Sequence, residues 1–122
     1  MRPKFVSTQN KGFGMTFDNG FTISVQWGTE NYCENRNLDI DFEDLHNQKE
    51  ANRWESRSAE IAVFDKDGEI VSVGENDAVI GWLTPNEVAK AIEIVSGYQG
   101  QTMTGMTGEK YIKDTFKKYS IK

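Results

Sequence analysis

Three arginines, a tyrosine and a tryptophan lie within one long polar segment of the sequence, residues 28–57. They are Tyr32, Arg36, Arg53, Trp54 and Arg57. Guanidinium groups bind phosphate oxygens in a bidentate manner, and an aromatic ring stacks on a nucleobase. Arg53 and Arg57 share a face if the segment is helical. These residues predict a site for a small nucleotide-like ligand; alternatively, the arginines pair with neighbouring acids and Trp54 anchors the segment.

The same segment is strongly acidic. Residues 29–57 carry eight acidic and four basic side chains, a balance of −4. Its most acidic stretch contains Asp39, Asp41, Glu43 and Asp44. Clustered carboxylates can bind Mg²⁺ or Ca²⁺, but the EF-hand pattern is absent, so we expect no metal site. These four residues are predicted to bind a positively charged surface of a partner protein.

Catalytic signatures are absent from the sequence. The single cysteine, Cys33, and the single histidine, His46, show no spacing typical of a zinc site or a nucleophilic pair. The patterns GxxxxGK[ST], GxGxxG and GxSxG do not occur. We therefore predict a protein that is not an enzyme, with no catalytic residues and no cofactor. A metal-dependent hydrolase is the alternative.

Length and charge limit the class of protein. A chain of 122 residues corresponds to one domain. One cysteine cannot form an intramolecular disulfide, and residues 1–10 lack the apolar region of a signal peptide, which predicts a cytoplasmic location. No apolar stretch is long enough for a membrane span. The net charge of −5 argues against general nucleic-acid binding.

Residues 11–28 predict a β-hairpin with two unlike faces. A three-residue turn at 18–20, with Gly20 in the left-handed region, pairs Phe17 with Phe21 and collects the apolar residues on one face. The other face, here called the small-residue face, consists of Gly12, Gly14, Thr16, Thr22, Ser24 and Gln26. Small side chains allow close approach, so this face is predicted to bind a second protomer, the chain's own helix or a target protein. We expect a homo-oligomer.

The remaining pattern predicts three further strands and one main helix. The strands cover residues 59–64, 69–73 and 78–82, and the first is predicted to be central because both of its faces are apolar. Thr84, Pro85 and Glu87 predict a capping box at the start of a helix over residues 85–96. The predicted fold is α+β: an antiparallel sheet of four or five strands packed against this helix, with a long loop or helical excursion.

The chain divides into three predicted parts. Residues 1–98 form one α+β domain, with the excursion at 28–57, and residues 99–108 are a linker rich in glycine and threonine. Residues 109–122 carry five lysines and two acids and form an amphipathic basic tail with helical spacing at Ile112, Phe116 and Tyr119. Whether the tail packs on its own domain, a neighbour or a partner is open at this point.

Three blocks of sequence resemble a group of short phage and prophage proteins, most of which have no assigned activity. The blocks are GMTFDNGFTISVQWGTENYCENR at 14–36, AEIAVFDKDGEIV at 59–71 and GWLTPNEVAKAI at 81–92. The resemblance implies a phage accessory protein acting against host defence in the host cytosol. It would capture a small nucleotide-like signal without catalysis, or inhibit a host defence protein with its acidic stretch as a decoy.

Overall fold

A computed structural model describes residues 3–8, 11–36, 54–74, 77–99 and 108–121. In these residues it contains strands β1 (Lys4–Ser7), β2 (Gly12–Thr16), β3 (Thr22–Gln26), β4 (Ala59–Phe64), β5 (Ile70–Val71) and β6 (Ile80–Leu83), and helices α1 (Pro85–Gly97) and α2 (Gly108–Lys118). The predicted α+β class with an antiparallel sheet is confirmed. Neither described helix has the length and apolar composition that a membrane crossing requires.

The sheet is centred on β4, as the sequence predicts. The strand order is β1-β2-β3-β4-β5, and β6 also pairs with β4. Along β4, Ala59, Ile61 and Val63 are buried and alternate with half-buried residues. The sequence did not predict β1. All four of its residues are exposed, so its sequence, KFVS, lacks the alternation of apolar and polar residues that marks a half-buried strand.

The β2–β3 hairpin has the predicted three-residue turn. The Phe17 N–H donates to the Phe21 carbonyl over 2.9 Å, and Gly20 has a φ of 86°, in the left-handed region that favours glycine. Met15 pairs with Ile23 in the resulting register. The apolar face of the hairpin therefore packs into the core, and the small-residue face points to the other side of the sheet.

Helix α1 starts with the predicted capping box. The Glu87 N–H donates to the Thr84 hydroxyl over 3.2 Å, and the Thr84 N–H donates to the Glu87 carboxylate over 2.9 Å. This reciprocal pair satisfies N–H groups that the first turn leaves without intrahelical partners. Val88, Ala91 and Val95 are buried, so this helix covers the apolar face of the sheet.

The C-terminal end of α1 is held by a residue that the sequence indicates only as a turn residue. The Asn19 amide nitrogen donates to the Val95 carbonyl over 2.8 Å and to the Tyr98 carbonyl over 2.9 Å. Its amide oxygen accepts the Phe21 N–H over 2.9 Å. The hairpin turn therefore supplies donors to two carbonyls at the helix end, of which the Val95 carbonyl also accepts the Tyr98 N–H over 3.4 Å.

Asn19→Ala should lower the free energy of unfolding by about 3 kcal/mol, because three side-chain hydrogen bonds of about 1 kcal/mol each are lost. Urea denaturation followed by circular dichroism measures this change. Asp18→Ala is the control, since Asp18 is exposed in the same turn and should change stability little. Equal effects of the two substitutions would contradict the role of Asn19 at the helix end.

The described C-terminal residues pack on their own domain. Ile112 and Phe116 of α2 are fully buried in the same core as the sheet, and Ile121 closes it. A Cβ added to Gly108 would lie 2.8 Å from the Phe21 ring, which shows how closely α2 approaches the hairpin. Of the alternatives left open by the sequence, the structure therefore shows self-packing for 108–121. Residues 100–107 of the predicted linker lie outside the described residues.

Candidate functional site

A cavity of about 830 Å³ lies between the sheet, α1 and residues 54–58. Its apolar wall includes Phe13, Val25, Trp27, Trp54, Leu83, Val88 and Ile92. Its polar lining includes Glu34, Asn35, Arg57 and Ser58. Small-molecule sites commonly have this size and this combination of apolar walls with a few polar groups. We therefore treat the cavity as the candidate functional site.

Hydrogen bonds to backbone carbonyls fix the walls of the cavity. The Trp27 indole N–H donates to the Trp54 carbonyl over 3.0 Å. The Asn35 amide nitrogen donates to the Trp27 carbonyl over 2.7 Å and to the Glu55 carbonyl over 3.0 Å. Asn35 is buried, so these bonds are sheltered from water. They join the chain that leaves β3 to the chain that enters β4.

Among the described residues that line the cavity, Arg57 carries the positive charge. Its backbone N–H donates to the Glu34 carboxylate over 2.7 Å, while its side-chain Nε lies 3.8 Å from that carboxylate. The Arg57 side chain is 93% exposed. Exposed ion pairs contribute little to stability, so the guanidinium group can exchange Glu34 for another anion at small cost.

The predicted ligand-binding residues separate into two places. Trp54 and Arg57 line the cavity. Tyr32 and Arg36 are not among its lining residues; they stack on each other, with the guanidinium carbon 4.2 Å from the ring centroid. The Arg36 guanidinium also donates to the Glu30 carbonyl over 3.3 Å.

Other predicted residues lie outside the described part of the chain. They are Arg53, the acidic residues Asp39, Asp41, Glu43 and Asp44, and His46. Residues 54–58 are not helical, so the helical spacing expected between Arg53 and Arg57 does not extend to Arg57. The alternative expectation, that arginines pair with neighbouring acids, is met by Arg57 and Glu34.

Residues of the small-residue face bond to one another. The hydroxyls of Thr16 and Thr22 lie 2.8 Å apart, and the Gln26 amide nitrogen donates to the Ser24 hydroxyl over 3.0 Å. A Cβ added to Gly12 would overlap the Gln26 side chain. Both described helices pack on the opposite face of the sheet, so neither covers this surface. The contact between Thr16 and Thr22 joins β2 to β3, whereas the bond from Gln26 to Ser24 lies within β3.

Sequence reasoning missed Glu60 and the unusual backbone of Trp82. The Glu60 carboxylate accepts the Tyr32 N–H over 2.9 Å, and the Trp82 N–H donates to the Tyr32 carbonyl over 2.8 Å. The β4–β6 register shifts between Ala59 and Ile61, and Trp82 there has a φ of 60°. A bulge of this kind leaves no periodic signal in the sequence.

Metal ligands do not cluster within the described ranges. Among those residues no group of three or more His, Cys, Asp or Glu side chains could hold a metal ion. Cys33 is buried, and its thiol donates to the Gly28 carbonyl over 3.4 Å. His46, the partner considered for Cys33, lies outside the described residues.

Comparison of the chain with protein-family models, with curated proteins and with solved structures gave no match. The resemblance to phage proteins therefore stays a prediction.

Proposed function

We propose that this protein is a non-catalytic binding protein that captures a small nucleotide-like molecule in the cavity. The observation that carries the proposal is the combination of an apolar cavity of about 830 Å³ with an exposed arginine at its rim. Trp27 and Trp54 supply aromatic surface inside, and Arg57 supplies positive charge outside. A nucleotide has a matching division into a planar base and an anionic phosphate.

The aromatic walls of the cavity suit the planar base of a nucleotide. Aromatic side chains stack on nucleobases of any sequence, and each such contact contributes about 1–3 kcal/mol. Trp27 is held by its bond to the Trp54 carbonyl, so part of the wall is organised before a ligand arrives. Preorganisation lowers the entropic cost of binding. The buried Asn35 lies in the same wall, and its amide nitrogen bonds to the Trp27 and Glu55 carbonyls there.

The rim limits the charge of the ligand. Arg57 can bind a phosphate through paired guanidinium N–H groups in exchange for its contact with Glu34. Glu34 and Glu55 also lie at the cavity and repel further negative charge. We therefore expect a ligand with one phosphate group, linear or cyclic, in preference to a triphosphate.

The proposed biological role combines the cavity with the resemblance to phage proteins. A phage protein that captures a nucleotide signal removes it from the host enzymes that respond to it, and needs no catalysis to do so. The decoy role would use Asp39, Asp41, Glu43 and Asp44, which lie outside the described residues, so it stays a prediction.

Native mass spectrometry tests the proposal directly. The protein is purified gently from a bacterial host with an active nucleotide-signalling defence system and compared before and after denaturation. We expect an added mass in the nucleotide range that denaturation releases. Calorimetric titration with linear and cyclic mononucleotides then measures affinity. The absence of both a bound mass and binding in titration would overturn the proposal.

Arg57→Ala should weaken binding of the identified mononucleotide by at least about tenfold, because hydrogen bonds to charged groups contribute about 1.5–3 kcal/mol. Stability should hardly change, since the side chain is 93% exposed. Arg36→Ala is the matched control, an arginine that stacks on Tyr32 away from the cavity. Calorimetry checks both variants. A loss of affinity as large for Arg36→Ala as for Arg57→Ala would contradict the site.

A further inference from the structure

Strand β1 (Lys4–Ser7) forms an open edge of the sheet. It pairs only with β2 in the strand order of the described residues, and all four of its residues are exposed. Phe5 is 79% exposed and Val6 is 49% exposed, on opposite faces of the strand. Two apolar side chains thus stand at the edge without cover from the described part of the chain.

The register shows which backbone groups of β1 point outward. The Thr8 N–H donates to the Gly12 carbonyl over 3.0 Å, and Val6 pairs with Gly14. In an antiparallel pair, alternate residues direct their N–H and C=O groups to the same neighbour. Val6 and Thr8 therefore direct theirs to β2, while Phe5 and Ser7 direct theirs away from the sheet. These outward groups can pair with a further strand.

The opposite edge of the sheet, at β5 and β6, has features that hinder the addition of a further strand and that β1 lacks. There β5 has only two residues, and β6 has an irregular register with β4. Short strands and bulges prevent strand addition at sheet edges, as do charges and prolines placed within the strand. In β1, Lys4 is at the first position, and the central residues are Phe5 and Val6. Among the residues that the structure describes, none pairs with the outer side of β1, so this edge is open at its centre.

We propose that β1 pairs antiparallel with β1 of a second copy of this chain, so that one sheet continues through both subunits. A two-fold axis perpendicular to the sheet keeps each face of the sheet on the same side in both copies. Val6 then lies opposite Val6 of the partner subunit. The outward N–H and C=O of Phe5 bond to the C=O and N–H of Ser7 of the partner subunit. Ser7 bonds in the same way to Phe5 of the partner subunit.

Self-complementarity argues for a second copy over another strand donor. Phe5 and Ser7, which carry the outward groups, are two residues apart on each strand. In this register each outward N–H therefore lies opposite an outward C=O of the other strand. Lys4 lies opposite Thr8 of the partner subunit, so no like charges face each other in this register. The two Phe5 rings lie on one face in diagonal positions, within reach of each other. Both exposed apolar residues of β1 therefore gain partners.

This pairing does not depend on the proposed function. None of the β1 residues lines the cavity between the sheet and α1. Loss of dimerisation and loss of ligand binding are therefore separate outcomes.

Sedimentation analysis over a concentration series tests the dimer, with Ser7→Pro and Ser7→Ala as matched variants. Proline removes the outward N–H of residue 7 without touching the β1–β2 ladder, whereas alanine keeps that N–H. We expect a dimer for the native chain and for Ser7→Ala. Ser7→Pro should weaken it by about 30-fold or more, which corresponds to about 2 kcal/mol.

Circular dichroism and thermal melting establish that Ser7→Pro is folded. In the native protein, the amides of Phe5 and Ser7 should exchange hydrogen more slowly as protein concentration rises. A native chain that stays monomeric throughout the series would overturn the proposal. A dimer of unchanged strength in folded Ser7→Pro would overturn it as well.

Discussion

Phe116→Ala should lower the free energy of unfolding by about 4 kcal/mol, the range typical of removing a buried phenylalanine. Phe116 is fully buried in α2, within the core that contains Phe21 and the α1 residue Val95. The substitution leaves a cavity beneath the helix and removes apolar surface that holds the helix on the sheet. A loss of this size is a large fraction of the stability of a typical domain.

Chemical denaturation of the full chain, followed by circular dichroism, measures this loss. Lys117→Ala is the matched control, because Lys117 is exposed on the same helix and should change stability by less than about 0.5 kcal/mol. If α2 were instead an appendage that detaches from the domain, Phe116→Ala would leave the main unfolding transition in place. That result would contradict the packing of residues 108–121.

Asn35→Asp should be strongly destabilising at neutral pH although the two side chains have nearly the same shape. The Asn35 amide nitrogen donates to the carbonyls of Trp27 and Glu55. A carboxylate has no donor and would place a buried negative charge against two carbonyl oxygens. We expect a loss of about 4 kcal/mol at pH 7, because both the bonds and the hydration of the charge are lost.

The sign of the pH dependence follows from the same contacts. Burial and the carbonyl oxygens disfavour the charged form, so the folded pKa of the introduced carboxyl is raised above its unfolded value of about 3.9. The Asn35→Asp variant therefore keeps its full stability below about pH 3.9, where the carboxyl is neutral. It loses stability as the pH rises through the folded pKa of that carboxyl. The difference between Asn35→Asp and the native protein should therefore be smaller in acid, about 2 kcal/mol, and grow toward neutral pH.

Urea denaturation of both proteins at several pH values checks this dependence. Asn86→Asp is the control, because Asn86 is exposed in the first turn of α1, where an acidic side chain is favourable. Asn35→Asp should also weaken ligand binding by disturbing the wall of the cavity. A difference from the native protein that does not vary with pH would contradict the buried environment of residue 35.

The parts of the fold that could be predicted from the sequence depend on neighbours in the chain. The hairpin register follows from the apolar residues on either side of Gly20, and the α1 start follows from Thr84 and Glu87 three positions apart. Asn19 could not be assigned its role, because its acceptors lie 76 and 79 positions away. Backbone carbonyls are present at every residue, so nothing in the sequence indicates which of them a side chain will meet.

The sequence predicted some residues of the candidate site but not the cavity itself. Trp54 and Arg57 could be selected as residue types suited to a nucleotide, and both line the cavity. Tyr32 and Arg36 were selected by the same criterion but stack on each other, since a turn brings them together. The cavity itself could not be predicted, because it depends on how α1 lies against the sheet and on the bonds of Asn35 across the gap.

The position of α2 bears on the order in which the chain folds. Strands β1, β2 and β3 pair with their sequence neighbours, whereas α2 meets Phe21 from residue 108 onward. Contacts of long sequence separation carry a larger loop-closure entropy and form later. We therefore expect the hairpins to form first and α2 to dock in a late step that completes the core. Defects in α2 would then act mainly by speeding unfolding, with little effect on the rate at which the hairpins form.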